Sequence, residues 1–363
     1  MSTTEPRIAG FDGLRAIAFL LVFISHQAPL ENAGVYGDVG VWMFFVLSGF
    51  LITRILARSR EGIERGLTTP RLALMRFYIR RTARIFPPYY LVLGIALVIS
   101  AFTPVDNFWL SARIAYAFFL TNIFIGLRDA WIGDFGPFWS LAVEEQFYLV
   151  FAPLVLALPR SRVGPLCIGF IVVGLATKVG MEIMGAAPTP IDVHSLINFG
   201  LLGFGGLVGL NLDRRVPAWL LTGPAQAATG LIYLALPVAF GAWSGPWMTY
   251  GKLSGLLAGL LLFQIARAQQ TRFVAILESA PLRGIGRISY GAYLFHHFIH
   301  FAHIQAALGW IGWRLDAARP LQVLVELAAT LVLATLSWRF LERPIVTWAA
   351  HLTSRGRWAE ARA

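Results

Sequence analysis

Long apolar segments alternate with short polar loops along almost the whole chain. They lie at 11–30, 39–56, 86–103, 108–127, 138–158, 164–184, 193–211, 218–240, 247–266, 288–311 and 320–341. Each segment is about as long as an apolar helix needs to be to cross a bilayer. This pattern predicts an all-α polytopic membrane protein, without a separate long hydrophilic domain.

Composition agrees with this prediction and narrows the partners. Hydrophobic residues make up 57% of the chain and charged residues 13%, whereas about 25% of a soluble globular protein is charged. The net charge is +11, but the arginines cluster between apolar segments, which favours the positive-inside rule over nucleic-acid binding. The only cysteine, Cys167, lies in an apolar segment and cannot form an intrachain disulfide. The first apolar segment holds ionisable residues and lacks an A-x-A cleavage site after it, so we expect it to stay in the mature protein.

The distribution of arginines predicts which segments cross the membrane. The loop after segment 39–56 is strongly basic, which places it and the N-terminus in the cytoplasm. If segment 108–127 crossed, the later arginine clusters at 160–162, 214–215 and 267–287 would all lie outside. If it does not cross, all of them lie inside. We therefore predict about ten transmembrane helices with both termini cytoplasmic, and an interfacial or re-entrant helix near 108–127. Residues 1–349 then form one transmembrane domain and 350–363 a cytoplasmic basic tail.

The first apolar segment carries three ionisable residues, Asp12, Arg15 and His26. Arg15 and His26 are three helical turns apart, so they lie on nearly the same face, about 16 Å from each other along the helix. Ionisable groups at membrane depth are costly, which favours a functional polar path. The alternative is a solvated Asp12–Arg15 helix end together with a packed interior histidine.

Segment 138–158 adds two carboxylates, Glu144 and Glu145, in its predicted outer half. His26 lies in the outer half of a helix that runs the other way, so a glutamate could orient it as a general base. Neighbouring residues on a helix point about 100° apart, so only one of the two glutamates can easily face such a site. Alternatively, both glutamates pair with arginines elsewhere.

A second basic cluster lies in RFYIRRTARIFPPYY, residues 76–90. Arg84 shares one helical face with Arg81 and is also within one turn of Arg80. Pro87 and Pro88 are expected to end or kink this helix. A close pair of guanidinium groups can bind phosphate in a fork, although arginines here could instead set topology or bind lipid headgroups.

Two further motifs give weaker signals. Ser48 lies mid-segment in GVWMFFVLSGF, and the glycines there, like those of GLLGFGGLVGL at 200–210, favour close helix packing over a nucleophile. His296 and His300 have the i,i+4 spacing of a metal pair, but no carboxylate or cysteine accompanies them. For His296 we therefore expect polar packing or a substrate contact, and no metal.

Together these pieces resemble the acyltransferase-3 family of bacterial membrane O-acyltransferases. The matching motifs are FDGLRAIA with an R-x10-H spacing, GVWMFFVLSGFLI, RRTARIFPPY, WSLAVEEQFYL, ISYGAYLFH and LERP at 341–344. The resemblance places the essential histidine of the family on His26 and its glutamate on Glu144. Its essential arginines correspond to Arg15, Arg81 and Arg84. His297 after His296 departs from the tryptophan-flanked histidine and proline common in relatives.

The resemblance implies transfer of an acyl group, usually acetyl from acetyl-CoA, in the bacterial inner membrane. The implied acceptor is a hydroxyl of a surface carbohydrate such as O-antigen or exopolysaccharide, or of a glycosylated small molecule such as a macrolide. Relatives that modify peptidoglycan or O-antigen often carry an extracytoplasmic esterase-like domain. This chain ends shortly after LERP, so we expect a stand-alone form that works alone or with a separate extracytoplasmic partner, surrounded by membrane lipid.

These observations give one mechanism and one alternative. Acyl-CoA places its phosphates on the arginines of the basic cluster, and His26 acts as general base on the acceptor hydroxyl. A transient acyl-enzyme on His26 or on a nearby hydroxyl, with Ser48 and Tyr89 as candidates, stays open. A proton-coupled transporter or flippase of a lipid-linked sugar would use the same residues as a relay. An inverted repeat would favour the transporter, and the sequence has no clear internal repeat.

Overall fold

The computed structural model describes residues 7–28, 34–100, 107–239, 251–300, 304–305, 308–309 and 318–354. Within these ranges all regular secondary structure is helical. Its α-helices are α1 Phe11–Gln27, α2 Gly34–Glu64, α3 Pro70–Ser100, α4 Asn107–Ala117, α5 Thr121–Arg128, α6 Phe138–Ala157, α7 Val163–Ile183, α8 Pro188–Val193, α9 Ser195–Leu210, α10 Gly223–Ala239, α11 Ser254–Arg267, α12 Arg272–Leu277, α13 Ala280–Phe295, α14 Arg319–Ser337 and α15 Arg343–Leu352. Residues 355–363 of the predicted basic tail lie outside the described residues.

Four helices in the described part of the chain are long and apolar enough to cross a membrane. They are α2, α6, α7 with the turn before it, and a continuous 34-residue helix that joins α14 to α15. α9 and α11 are apolar but shorter. The all-helical, membrane-spanning class is therefore confirmed, and the count of ten helices with cytoplasmic termini stays a prediction.

Close contacts between helix backbones organise the interior. A Cβ atom on Gly49 of α2 would lie 1.9 Å from the carbonyl oxygen of Leu202, and one on Gly205 of α9 would lie 1.9 Å from that of Val46. Only glycine fits at such distances, so the glycine-rich motifs of α2 and α9 pack directly on each other, as predicted. α13 approaches α1 in the same way, since a Cβ on Gly286 would lie 1.8 Å from the carbonyl oxygen of Asp12.

Pro87 and Pro88, expected to end or kink the helix, do not end it, because α3 runs through both prolines for 31 residues. Each proline removes one backbone N–H and leaves carbonyl groups of the preceding turn without their usual donor. The hydroxyl of Tyr290 on α13 donates to the carbonyl oxygen of Ile85 at 2.9 Å. The carbonyls that lose their usual donors are those of Ala83 and Arg84. The bond to Ile85 therefore ties α13 to the proline turn without replacing a lost donor.

Segments 108–127 and 288–311 are interrupted rather than continuous. The first forms α4 and α5, of 11 and 8 residues, with a break at Phe119 where φ is +53°. Neither helix is long enough to cross a bilayer, which agrees with the prediction that this segment does not cross. In the second, α13 ends at Phe295 and a 3₁₀ turn follows over His296–Phe298. His296 and His300 therefore do not share a helical face, and the basis for a metal pair is lost.

Candidate functional site

Two cavities adjoin at the start of α1 because the same three arginines, Arg15, Arg81 and Arg84, line both. The larger cavity contains about 1010 Å³ of space, part of it open to solvent. Its wall carries five arginines, a single carboxylate from Asp12, and an indole; the remaining members of this set are Arg7, Arg287 and Trp338. The excess of guanidinium groups suits an anionic ligand.

The spacing of the residues on their helices explains why these arginines meet. Arg81 and Arg84 are three residues apart on α3, so they share one face, and Arg15 reaches the same space from α1. Arg80 points elsewhere: its Nε donates to the hydroxyl of Thr353 at 2.7 Å and it lines neither cavity. The structure therefore brings together the R-x-x-R pair and Arg15, and separates Arg80 from them.

Aromatic rings and Asp12 hold the arginines in place. The Arg81 guanidinium lies 5.9 Å from the ring centre of Tyr148, and that of Arg84 lies 5.9 Å from the ring centre of Trp338. Such cation–π contacts fix a guanidinium without cancelling its charge. Asp12 accepts from Arg15 at 3.2 Å and from Arg7 at 3.0 Å. Asp12 is thus a positioning partner of the arginines, as in the Asp12–Arg15 alternative.

The predicted contact between Glu144 and His26 is not present among the described residues. One carboxylate oxygen of Glu144 accepts from the Ser48 hydroxyl at 2.7 Å and the other from the Tyr148 hydroxyl at 3.1 Å. Glu144 and Ser48 both line the smaller cavity, together with Arg15 and Arg81. The carboxylate thus lies at the arginine end of α1, but its hydrogen bonds among the described residues go to two hydroxyls, so the alternative in which the glutamates pair with arginines is not seen either.

The antiparallel packing of α1 and α2 determines how far along α1 Ser48 and His26 lie. The rings of Phe11 and Phe50 are 5.2 Å apart, whereas a Cβ on Gly37 would touch the hydroxyl of Ser25. Ser48, close to Phe50 in α2, therefore lies near the start of α1, and His26 lies near the other end. Glu145 has a buried carboxylate oxygen without a hydrogen-bond partner among the described residues, and it does not line either cavity.

His26 is held by its own helix in one protonation pattern. Its Nδ1 lies 2.9 Å from the carbonyl oxygen of Val22. A carbonyl oxygen only accepts, so this contact assigns the proton to Nδ1 and leaves Nε2 with a free lone pair. The side chain is exposed. His26 therefore has the form that a general base needs.

A second histidine, in the 3₁₀ turn that follows α13, completes this region. His296 is buried, and its Nε2 lies 3.3 Å from Nδ1 of His26. The ring of His297 lies 4.7 Å from that of His26, centre to centre. The structure thus joins His296 to the candidate base. The motif ISYGAYLFH contained this residue, but no spacing rule connected it with α1.

Polar contacts between α1, α13 and α14 fix the His26 end of the bundle. The amide of Gln27 donates to the backbone carbonyl of His296 at 2.9 Å, and Arg319 donates to the carbonyl of Gln27 at 2.5 Å. Arg319 also forms an ion pair with the buried Glu326 at 3.2 Å. Gln27, Arg319 and Glu326 were not predicted from the sequence. The available signal was that they are polar side chains within or beside apolar segments.

Tyr293 and Ser140 connect the smaller cavity with the histidines. Their hydroxyl oxygens are 2.7 Å apart, and both side chains line that cavity. The backbone carbonyl of Tyr293 accepts from His296 at 2.7 Å. The cavity therefore extends from the arginines to the residue that supports the histidine pair.

Two other motif residues have clear surroundings. Tyr89 is buried, donates to the carbonyl of Tyr116 at 2.8 Å and stacks on Phe119, so it supports α4 and lines neither cavity. Glu342 of LERP is buried in a π-helical turn, Trp338–Glu342, and accepts from Ser337 at 2.9 Å. The same turn carries Trp338, which contacts Arg84. The sequence analysis used LERP only as a motif and gave Glu342 no role.

A comparison with known protein families covers the part of the chain that forms this site. The family described as "Acyltransferase domain" matches residues 8–339, which include Arg15, Arg81 and Arg84, both histidines and α14. The chain belongs to the acyltransferase-3 family. The resemblance drawn from its motifs is therefore confirmed.

Two relatives show how far the similarity extends. The peptidoglycan O-acetyltransferase OatA of Listeria monocytogenes is 29% identical over 364 residues, covering 93% of this chain and 56% of that protein. The O-acetyltransferase OatA of Staphylococcus aureus is 27% identical over 370 residues, covering 94% of this chain and 58% of the relative. The chain thus spans a little over half the length of these relatives. No solved structure is significantly similar to it.

Proposed function

We propose that this protein is an O-acyltransferase of the bacterial inner membrane that moves an acetyl group from acetyl-CoA to a hydroxyl of a carbohydrate acceptor. The observation that carries this proposal is the arrangement along α1. Three arginines line adjoining cavities at its start, and His26 presents an unprotonated Nε2 near its end.

The arginine end suits the phosphates of coenzyme A. Arg81 and Arg84 come from one helical face and Arg15 from a second helix, so they can surround one anionic group. Their aromatic neighbours leave the charge available. Guanidinium groups bind phosphate oxygens in pairs, which adds direction to the attraction. Glu144 then acts as a counter-charge within the donor site, through Ser48 and Tyr148.

The histidine end suits activation of the acceptor. His26 lies about 16 Å from Arg15 along the helix, a distance that the extended pantetheine arm can span. Nε2 of His26 takes the proton of the acceptor hydroxyl while its oxygen attacks the thioester carbonyl. The carbon–oxygen bond forms, the carbon–sulfur bond breaks, and the proton passes from His26 to the departing sulfur.

Carbohydrate is the acceptor class that the relatives favour, since the Listeria protein bears the name peptidoglycan O-acetyltransferase. We propose a surface polysaccharide or another cell-envelope glycan for this chain. A transporter would need no thioester donor. An acyltransferase must bind acetyl-CoA and either hydrolyse it or transfer its acetyl group. These activities therefore distinguish it from a transporter.

The test uses a deletion strain complemented with wild type, with His26→Ala or with an empty vector. Mass spectrometry of cell-envelope glycans should show acetylation only with wild type, because the variant lacks its base. Calorimetric titration with coenzyme A provides the control: purified His26→Ala should bind like wild type, since His26 is three turns from the arginines. Normal acetylation by His26→Ala would refute the mechanism. A folded wild type that does not bind coenzyme A would favour the transporter.

A further inference from the structure

The proton on Nδ1 of His26 has more than one acceptor within reach. The carbonyl oxygen of Val22 already receives the Ser25 hydroxyl at 2.7 Å and, in the regular pattern of α1, the backbone N–H of His26. A carbonyl oxygen has two lone pairs. The Nδ1–H of His26 is therefore a third donor to this oxygen. Two other acceptors are within reach: Oγ of Ser25, on the same helix, lies 3.3 Å from Nδ1, and one further partner comes from another part of the chain.

His296 provides this partner. Its own Nδ1 lies 2.7 Å from the carbonyl of Tyr293, which assigns the His296 proton to Nδ1. Its Nε2 is then a bare acceptor, 3.3 Å from Nδ1 of His26. We infer that His296 is the positioning residue of the candidate general base, the part that sequence reasoning gave to Glu144. This inference rests on the proposed function.

The chemistry of proton transfer gives the contact its value. When Nε2 of His26 takes a proton from the acceptor hydroxyl, the ring becomes an imidazolium and its Nδ1–H becomes a stronger donor. An acceptor already in line at Nδ1 stabilises that charge and keeps the ring from turning. A buried carboxylate would do the same, but at the cost of desolvating a full charge, which a neutral imidazole avoids.

The surroundings hold His296 for this purpose. Its side chain is 0% exposed. The side-chain amide of Gln27, the residue after His26, donates to the backbone carbonyl of His296. Nearby, the guanidinium of Arg319 and the carboxylate of Glu326 form an ion pair with each other at 3.2 Å. The two rings therefore belong to one rigid unit formed by the ends of α1 and α13.

Two substitutions separate a hydrogen-bonding role from simple packing. The amide of glutamine reaches about as far as Nε2 of histidine, so His296→Gln keeps an acceptor for His26. The shorter amide of asparagine reaches only about as far as Nδ1, so His296→Asn keeps the Tyr293 contact and loses His26. Both are polar and close to histidine in size. His351→Gln and His351→Asn, at an exposed position on α15, are the matched controls.

The experiment measures kcat and KM for acetyl-CoA with detergent-purified variants, along with coenzyme A binding. We expect His296→Asn to lower kcat at least about tenfold, a part of what general base catalysis contributes, with KM unchanged. His296→Gln should keep most of kcat, and both control variants should match wild type. Equal losses in His296→Gln and His296→Asn, or no loss in either, would overturn the inference.

Two further variants keep the outcome clear. Gln27→Leu removes the amide that holds the His296 backbone and should lower kcat without touching either ring, which serves if His296→Asn does not fold. His26→Ala is assayed in parallel. If it is inactive while His296→Asn is normal, the inference fails and the proposed function stands. If His26→Ala is active, the proposed function fails and the inference with it.

Discussion

At the scale of single residues, the proposed donor site depends on which way each arginine of the basic cluster points. Arg80, Arg81 and Arg84 lie within two turns of α3, yet only Arg81 and Arg84 line the cavities. Arg80 instead donates to Thr353 of the helix end that follows α15. This gives the chain its own internal control, because two adjacent arginines of equal charge have different surroundings.

We predict that Arg81→Ala weakens coenzyme A binding by about 1.5–3 kcal/mol, the value of a hydrogen bond to a charged group. Arg81→Lys should recover part of this loss, and Arg84→Lys should weaken binding only partly, because lysine keeps the charge but cannot reproduce the guanidinium fork. Arg80→Ala should bind like wild type. Calorimetric titration at two salt concentrations measures all four, and binding should weaken with salt. Equal effects of Arg80→Ala and Arg81→Ala would contradict a specific contact and would indicate that only the overall positive charge matters.

At the scale of helices, the contact between α2 and α9 depends on glycine. A Cβ on Gly205 would lie 1.9 Å from the carbonyl oxygen of Val46, a backbone atom that cannot move aside cheaply. Ser48 lies just beyond this contact on α2. The close packing of α2 thus fixes the depth of Ser48, and through it that of Glu144.

We predict that Gly205→Ala destabilises the protein by at least about 1–3 kcal/mol, the usual cost of overpacking. Gly169→Ala in α7 is the matched control, because a Cβ there meets nothing within 4 Å. It should be neutral or slightly stabilising, since alanine favours helix over glycine by about 1 kcal/mol. Thermal unfolding of both detergent-purified variants provides the measurement. Similar melting temperatures would contradict the close α2–α9 contact.

At the scale of the whole molecule, the connection between α5 and α8 bears on topology. A Cβ on Gly126 would lie 3.4 Å from Val193 and 3.8 Å from Pro190, and the amide of Asn122 donates to the carbonyl of Val193. The short helices α5 and α8 therefore pack against each other and lie on the same side of the molecule. The arginine distribution predicts that this side is the outer one.

We predict that single cysteines at Asp129 and Pro188, in a Cys167→Ser background, both react with an impermeant thiol reagent added from outside. Both positions are exposed. A cysteine at Leu67, which is 63% exposed in the loop between α2 and α3, should react only after the cells are opened. Labelling at Leu67 from outside would reverse the orientation, and labelling at only one of the other two would contradict the α5–α8 contact.

The sequence by itself determined the class of protein, because lipid demands long apolar helices and the arginine-rich loops give them a predicted direction. It also singled out the candidate site residues, since ionisable groups in apolar segments are rare and their spacing fixes a helical face. The spacing placed Arg81 and Arg84 on one helical face, and both line the cavities; that Arg15 of another helix joins them is seen only in the structure.

Only the tertiary structure decided which side chain partners which. Helical periodicity gives the face of a residue on its own helix, but not the neighbour that this face meets or the level of the meeting. The packing of α6 against α2 brought Glu144 to Ser48, beside the arginines. The end of α13 at Phe295 turned His296 towards His26. Both outcomes depend on backbone contacts between helices far apart in sequence, and no local pattern encodes such contacts.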